Sequence, residues 1–452
     1  MSAISNSNFA WGGAWKRGAG TSLAFAIQPL QVLMSLPVPL YLGTLTVMLF
    51  RPPDLEFHCA DRIAFLVLVA VIGLRVLLMQ QLWRPSVHIT WPMCALLLLV
   101  LFDLLSRPFE SQVWSVAAAK YFVPYSLFYL AGCVFCDARS RKHLEIFALI
   151  VLGYLIYLAI ASLAHMDALI YPKFILDPAL GLNAMRARGP FLQPVANGAA
   201  LNLLGLIALD AYGRGRIRRS LPVLLLIGGL PVAILATLTR SVWLGFGVSI
   251  ILLWRWTHCK RVRRICWVFI MAGVLTIVLV FGGSAEDTAG GRLRDGDTVN
   301  FRMAAYEAGW SMFAERPILG WGASRVQTEL ADRIEGYRGD TFVVHNTYFE
   351  ILLEHGVLGC VFYLWLVTGL IRVGRHPETR PDAEASSEFM VGRSGRTLWL
   401  LLLSVYFINA TFVVMNYQFV NGLTFTIAGI LACQSQRRPG PQRGLLKAQC
   451  NA

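Results

Sequence analysis

The sequence predicts an all-α integral membrane fold of about twelve transmembrane helices, and three observations carry that expectation. The 452-residue chain is 56% hydrophobic, with a mean hydropathy of +0.58. Only 15% of its residues are charged, against roughly 25% in soluble domains. Apolar runs of the length that a bilayer core demands, about 20 residues per helix, recur along nearly the whole chain. They are continuous and Leu-rich rather than alternating, which excludes a transmembrane β-barrel. Met1 to Asn8 is polar and the next apolar stretch is too long for a removable signal peptide, so none is expected.

In chain order the candidate spans fall near 30–50, 62–82, 87–105, 115–136, 144–164, 191–212, 221–238, 241–256, 265–283, 346–371, 397–416 and 419–434. With Lys16 and Arg17 inside, every basic cluster falls on the cytoplasmic side. Arg139, Arg141 and Lys142 precede the fifth span, and Arg214, Arg216, Arg218 and Arg219 follow the sixth. Arg255, Lys260, Arg261, Arg263 and Arg264 lie between the eighth and ninth, and Arg437, Arg438, Arg443 and Lys447 mark the tail. This is the positive-inside pattern. It accounts for the net charge of +14 and argues against a nucleic-acid partner. Arg380 is expected in the cytoplasm with Arg216. The nine cysteines form no disulfide framework, and the lone C-x-x-C of Cys133 and Cys136 reads as two small buried hydrophobes. No repeat of fixed period occurs, so residues 1–452 form one membrane domain.

Two exterior segments stand out. One, Met166 to Pro190, holds AMRARGP. The other, 284–345, is a loop too long to be a plain connection. Within it NFRMAAYEAGWSMFAERPILGWG predicts an amphipathic helix, with Phe301, Ala305, Ala308 and Met312 on one face and a stop at Pro317, Gly320 and Gly322. That helix is expected to lie against the outer face of the membrane.

Polar residues inside or beside apolar runs need a partner or a function. Thr347 and Glu350 match the capping box S/T-x-x-E, which predicts a helix start near Thr347. His345 then precedes a helix N-terminus, whose partial positive charge favours a neutral imidazole able to accept a proton. The alternative is a histidine that only hydrogen-bonds the helix end. Glu354 projects half a turn away from His345 and suits an anchor to neighbouring helices. Arg186, Arg188, Arg240 (in TLTRSVWLG, a tight turn) and Arg302 all fall at the exterior face, where short-loop arginines are disfavoured. Guanidinium forks bind phosphate oxygens bidentately. Beside a neutral base they suit one task, holding a pyrophosphate leaving group while a hydroxyl is deprotonated. Asp295 and Asp297 form a D-x-D that is also ordinary turn chemistry. Lys120 and Arg75 carry no assigned role.

These residues also carry a resemblance. HNTYFEILLEHGVLG resembles the His-Asn-x-Tyr…Glu-x-Gly-x-x-Gly signature of the O-antigen ligase and polymerase-like superfamily. RARGPFLQPVANGAAL, TLTRSVWLGF and NFRMAAYEAGWSMFAERPILGWG resemble its other segments, in the same order. Asn197 departs from the usual Asn beside Pro. The resemblance implies a GT-C-like glycosyltransferase of the bacterial inner membrane, active at the periplasmic face. It implies a metal-independent, inverting transfer without cofactor, from an undecaprenyl-diphosphate-linked glycan to an acceptor hydroxyl. His345 would match the essential histidine, and Arg186 or Arg188, Arg240 and Arg302 the phosphate-handling arginines. Asn346, Tyr348 and Glu354 would support them. The acceptor would be lipid A–core for a lipopolysaccharide ligase, another repeat unit for a polymerase, or a protein side chain. A transporter or lipid flippase is the rival class. Carriers of that kind join two similar halves by a central cytoplasmic connection, whereas the long connection here lies outside and late.

Overall fold

A computed structural model of the chain describes residues 37–50, 60–79, 87–181, 183, 186–218, 220–282, 297–323, 325–334, 342–375 and 388–436. Among the described residues the regular structure is helical, with no strand. Each of the twelve apolar stretches contains helix: α1 (Pro37–Leu49), α2 (Ala60–Met79), α3 (Val87–Leu105), α4 (Ser111–Ala117) running through a π-helical turn (Ala118–Phe122) into α5 (Val123–Val134), α6 (Ala138–Leu163), α7 (Pro194–Gly213), α8 (Leu221–Ala236), α9 (Arg240–Trp256), α10 (Lys260–Gly282), α13 (Thr347–Arg375), α14 (Gly392–Phe412) and α15 (Gln418–Gln436). The long loop contributes α11 (Asp297–Glu315) and α12 (Val326–Asp332).

Among the described residues, five helices are long and apolar enough to cross a bilayer: Val87–Leu105, Ala138–Leu163, Pro194–Gly213, Thr347–Val373 and Gly392–Phe412. Pro37–Leu49 and Leu221–Ala236 are shorter apolar helices. Large apolar side chains such as Leu77, Leu98, Phe102, Leu105, Val268 and Val278 face outward. An apolar exterior of this extent is what hydrocarbon covers. The chain is a multi-pass membrane protein.

α7 forms the centre. Nearly all of its residues, from Pro194 to Tyr212, are buried, as a helix apolar on every side requires. It packs against α6, α8, α9 and α14. The closest approach in the bundle joins α15 to α5. A Cβ on Gly429 would stand 2.0 Å from the Phe128 carbonyl oxygen, so only glycine lets these helices meet. Tyr41 of α1 donates to the Leu127 carbonyl and meets the Thr426 hydroxyl at 2.7 Å, tying both helices to α1.

The contacts separate two ends of the bundle. At one, the end of α7 meets the α9–α10 connection, where Gly213 lies against Val262. Arg216, after α7, reaches Glu145 near the start of α6 at 2.7 Å. The basic groups around Arg141, Arg214, Arg216 and Lys260 therefore share this end. At the other, Phe191 before α7 stacks on Phe419 at the start of α15 (5.9 Å), beside the end of α14. His345, Arg186 and Arg240 belong there. Arg380 lies outside the described residues, as do Asp295 and Gly296 of the D-x-D.

A helix occupies the stretch expected to be amphipathic. In α11 Ala305 and Met312 are buried while Met303 and Trp310 are exposed, and the helix ends at Glu315, before Pro317.

Candidate active site

The site is built on a broken helix. At Gly356 the backbone of α13 takes φ 64° and ψ −161°, a combination almost confined to glycine. The break leaves donors and acceptors without helical partners, and residues 317–322 supply them. Val357 N donates to Pro317 O (2.8 Å) and Leu358 N to Ile318 O (3.3 Å), while Trp321 N donates to Leu353 O (2.8 Å) and Gly322 N to Glu354 O (2.9 Å). This satisfies the main chain at a break within an apolar run. Cβ atoms at Gly320 and Gly356 would lie 2.5 Å and 2.2 Å from opposing carbonyl oxygens, which is why Pro-x-x-Gly-x-Gly and Glu-x-Gly occur together. From α3, Asp103 accepts from Ala323 N (3.0 Å) and Arg107 donates to Trp321 O (2.7 Å), fastening the loop. The tenth apolar run is thus two helical pieces, 347–355 and 357–375, where the sequence suggested one span.

His345 stands immediately before the first piece with φ 53°, in the left-handed region. The predicted capping box is not formed. Asn346 is the cap: its Oδ1 accepts from Tyr348 N (3.0 Å) and Phe349 N (3.2 Å), the geometry of an Asn N-cap. Thr347 instead donates to Val413 O (2.8 Å) and accepts from Met415 N (2.9 Å), and Tyr348 donates to Phe407 O (3.0 Å). These bonds fix the start of α13 against the last turn of α14. Thr347 matched the sequence pattern of a cap, but its hydroxyl is taken up by the Val413 carbonyl and the Met415 amide of the segment after α14.

α11 closes over His345 from the loop. Asn346 Nδ2 donates to the Tyr306 hydroxyl (3.2 Å), and the Tyr306 ring packs on Phe349. Arg302 lies one helical turn before Tyr306. Burial, then the positive charge of Arg302, hold the His345 imidazole below its ordinary value, which favours the neutral form. The Nε of Arg302 is itself buried without a hydrogen-bond partner among the described residues.

The other arginines divide. Arg188 is 1% exposed, and its guanidinium is committed to main-chain carbonyls: Nε and Nη2 to Ile175 O (2.9 and 2.8 Å), Nη2 to Asp177 O (2.5 Å) and Nη1 to Leu180 O (2.5 Å). In this arrangement Arg188 organises the 166–193 loop rather than presenting a fork to a ligand. Arg186, two residues earlier, is half-buried. Ala187 N donates to Ala236 O (3.1 Å), and Asn197 Nδ2 donates to Ala187 O (2.8 Å). That sets the Arg186 segment beside the α8–α9 turn, where Arg240 begins α9. Val242 O accepts from Asn202 Nδ2 (3.1 Å), and a Cβ on Gly245 would lie 3.2 Å from Asn409 Nδ2 on α14. The elements carrying Arg240 and His345 therefore flank the same last turns of α14.

Sequence reading left Lys120 without a role. Its Nζ donates to Glu350 Oε2 (2.6 Å) and Glu354 Oε2 (2.8 Å), and all three side chains are buried. Glu354 and Glu350 both reach across to the Lys120 helix, so Glu350 is not a capping carboxylate. Their i, i+4 spacing was the available signal, since it puts both carboxylates on one face of a helix inside an apolar run.

Residues 222–364 match a protein family described as O-antigen ligase. Over that stretch, 143 of the 452 residues, the chain is similar to the O-antigen ligase family. No curated protein matches the chain. The matched segment runs from α8 through the break in α13, and so contains Arg240, Arg302, the Pro317–Gly322 loop, His345 and both glutamates, but neither Arg186 nor Lys120.

Proposed function

We propose that the protein is a glycosyltransferase of the O-antigen ligase type, working at the periplasmic face of the bacterial inner membrane across twelve spans. The observation that carries this reading is the place of His345 at the head of a half-helix, beside Arg302 and at the same end of the bundle as Arg240 and Arg186. The undecaprenyl-diphosphate-linked glycan would place its phosphates among Arg186, Arg240 and Arg302, whose charge persists at any relevant pH. With Arg188 engaged by the 175–180 carbonyls, Arg186 is the better phosphate ligand of that pair.

His345 takes the proton from the acceptor hydroxyl as that oxygen attacks the anomeric carbon. The bond from that carbon to the diphosphate oxygen breaks as the new glycosidic bond forms on the opposite face, so the configuration inverts. The electron pair leaves with the lipid diphosphate, and the arginines stabilise it there as preorganised donors. Asn346 and Tyr348 hold the head of the half-helix, and the exposed Met303 and Trp310 of α11 face the outer leaflet. No step requires a metal. The acceptor in this reading is lipid A–core.

Deletion of the gene, followed by analysis of accumulated glycans, tests the proposal. A ligase leaves lipid-linked polymer without its acceptor. Accumulation of single lipid-linked repeat units would replace the ligase by a polymerase of the same superfamily, and an unchanged glycan profile would overturn both.

A further inference from the structure

The piece 347–355 of α13 is mechanically separate from the piece 357–375. At Gly356 the helical ladder stops, and the hydrogen bonds on either side go to residues 317–322. Whatever orients His345 must therefore act on the first piece directly. Capping by Asn346 and the Thr347 bonds hold its head. Its body is held by Lys120, which binds one carboxylate in its first turn and one in its second.

Two features set this contact apart from ordinary packing. Lys120 is the middle residue of the π-helical turn Ala118–Phe122; such turns rotate one side chain out of the regular α-helical register and recur at functional sites. A buried ion triad also gives little net stability over apolar side chains of the same volume, and its best-attested use is to fix register. Glu350 and Glu354 lie on one face, so a single ammonium bonded to both sets the rotation and the axial position of 347–355 together. A wholly apolar contact allows small slides and rotations that this one does not.

We propose that Lys120 is a positioning residue for the transfer reaction, acting through Glu350 and Glu354 to hold the half-helix that aims His345. The inference rests on the reading of His345 as the base. The Lys120 ammonium is engaged by Glu350 and Glu354, so its effect in this reading belongs to turnover and not to donor affinity.

The test uses the full chain in lipid nanodiscs with a purified lipid-linked glycan donor and acceptor. Wild type, Lys120→Met/Glu350→Gln/Glu354→Gln, Lys120→Arg and His345→Gln are compared. The triple variant removes all three charges and leaves no unpaired buried ion. Its melting temperature and donor KM should stay at wild-type values while kcat falls about 10- to 100-fold, the order expected from a misplacement of about 1 Å. Lys120→Arg keeps the charge on a longer, planar group, and kcat should fall about 3- to 10-fold with the same unchanged KM. If the triple variant does not fold, Lys120→Arg decides alone. Wild-type kcat in a folded triple variant, or in Lys120→Arg, overturns the positioning role. When His345→Gln is inactive but both Lys120 variants are normal, only this inference fails. A normal rate in His345→Gln overturns the base, and the inference with it.

Discussion

The two ends of the bundle treat arginine in opposite ways. At the end away from His345, Arg216 lies 2.7 Å from Glu145 and 2.6 Å from Asp210, Arg214 shares Asp210, and Arg141 pairs with Glu388. Those guanidinium groups join the α6 start, the α7 end and the approach to α14 into one network of carboxylates. At the His345 end, Arg188 is held by main-chain carbonyls, and the Nε of Arg302 is buried without an acceptor among the described residues. A left-over donor is not confined to that end, since the Nε of Arg141 is buried in the same way. In the proposed reaction it is the place of Arg302 beside His345 that offers its unmet donor to an anion, because an unmet buried donor costs free energy that a ligand can recover.

The largest break in that comparison should come from His345→Gln. Glutamine keeps a hydrogen-bonding group but cannot take a proton, so turnover should fall about 10²- to 10⁴-fold with donor still bound. Single-turnover transfer alongside donor binding measures both, and a loss of binding would make His345 a phosphate ligand instead. Arg240→Lys should come next. It keeps the charge and loses the planar fork, removing charge-assisted hydrogen bonds worth about 1.5–3 kcal/mol, or about 10- to 100-fold in kcat/KM. Full transfer by the purified lysine variant would remove Arg240 from phosphate handling.

Arg302→Gln sharpens the electrostatics of the same end. In the proposed reaction His345 is the base, so activity should fall on acidification as the imidazole takes a proton, with the acid limb below the ordinary histidine range. Removing the Arg302 charge lets the imidazole pKa rise, and the acid limb should move to higher pH. The move is partial, because burial is the larger cause of the depression. A pH–rate profile of kcat for both proteins reads the shift; an unmoved limb separates Arg302 from His345.

The smallest effect on transfer is expected at the opposite end. Arg216→Gln leaves Glu145 and Asp210 without their shared partner, a change that costs about 3–5 kcal/mol when a buried pair is broken. Stability should drop while kcat per folded molecule stays within about twofold, since the site is at the far end of α7 and α14. Thermal unfolding together with activity normalised to folded protein checks it. A large loss of kcat at full folding would dissolve the distinction between the two ends.

Much of this was legible in the sequence because a bilayer imposes simple rules. Long apolar runs must be helices, and short basic segments gather at one end. Each of the twelve runs contains helix, and the described basic clusters share one end. The His345 region was legible because polar groups beside an apolar run are too costly to be incidental. The pattern of Phe301, Ala305, Ala308 and Met312 likewise gave the helix in the loop, since its period depends only on local geometry.

Three features were set by contacts between segments distant in the chain. Asn346 rather than Thr347 caps α13, because Thr347 is drawn away by Val413 and Met415, some 66 and 68 residues on. The helix breaks at Gly356 because the loop at 317–322, about 35 residues earlier, supplies the missing hydrogen bonds. Lys120 acquires its role only when Glu350 and Glu354, 230 and 234 residues away, are folded against it. Hydropathy and local spacing fix which segments are helical and which end they face. Which polar group satisfies which is a competition among all the donors and acceptors that packing brings within about 3 Å, and that competition exists only in the folded chain.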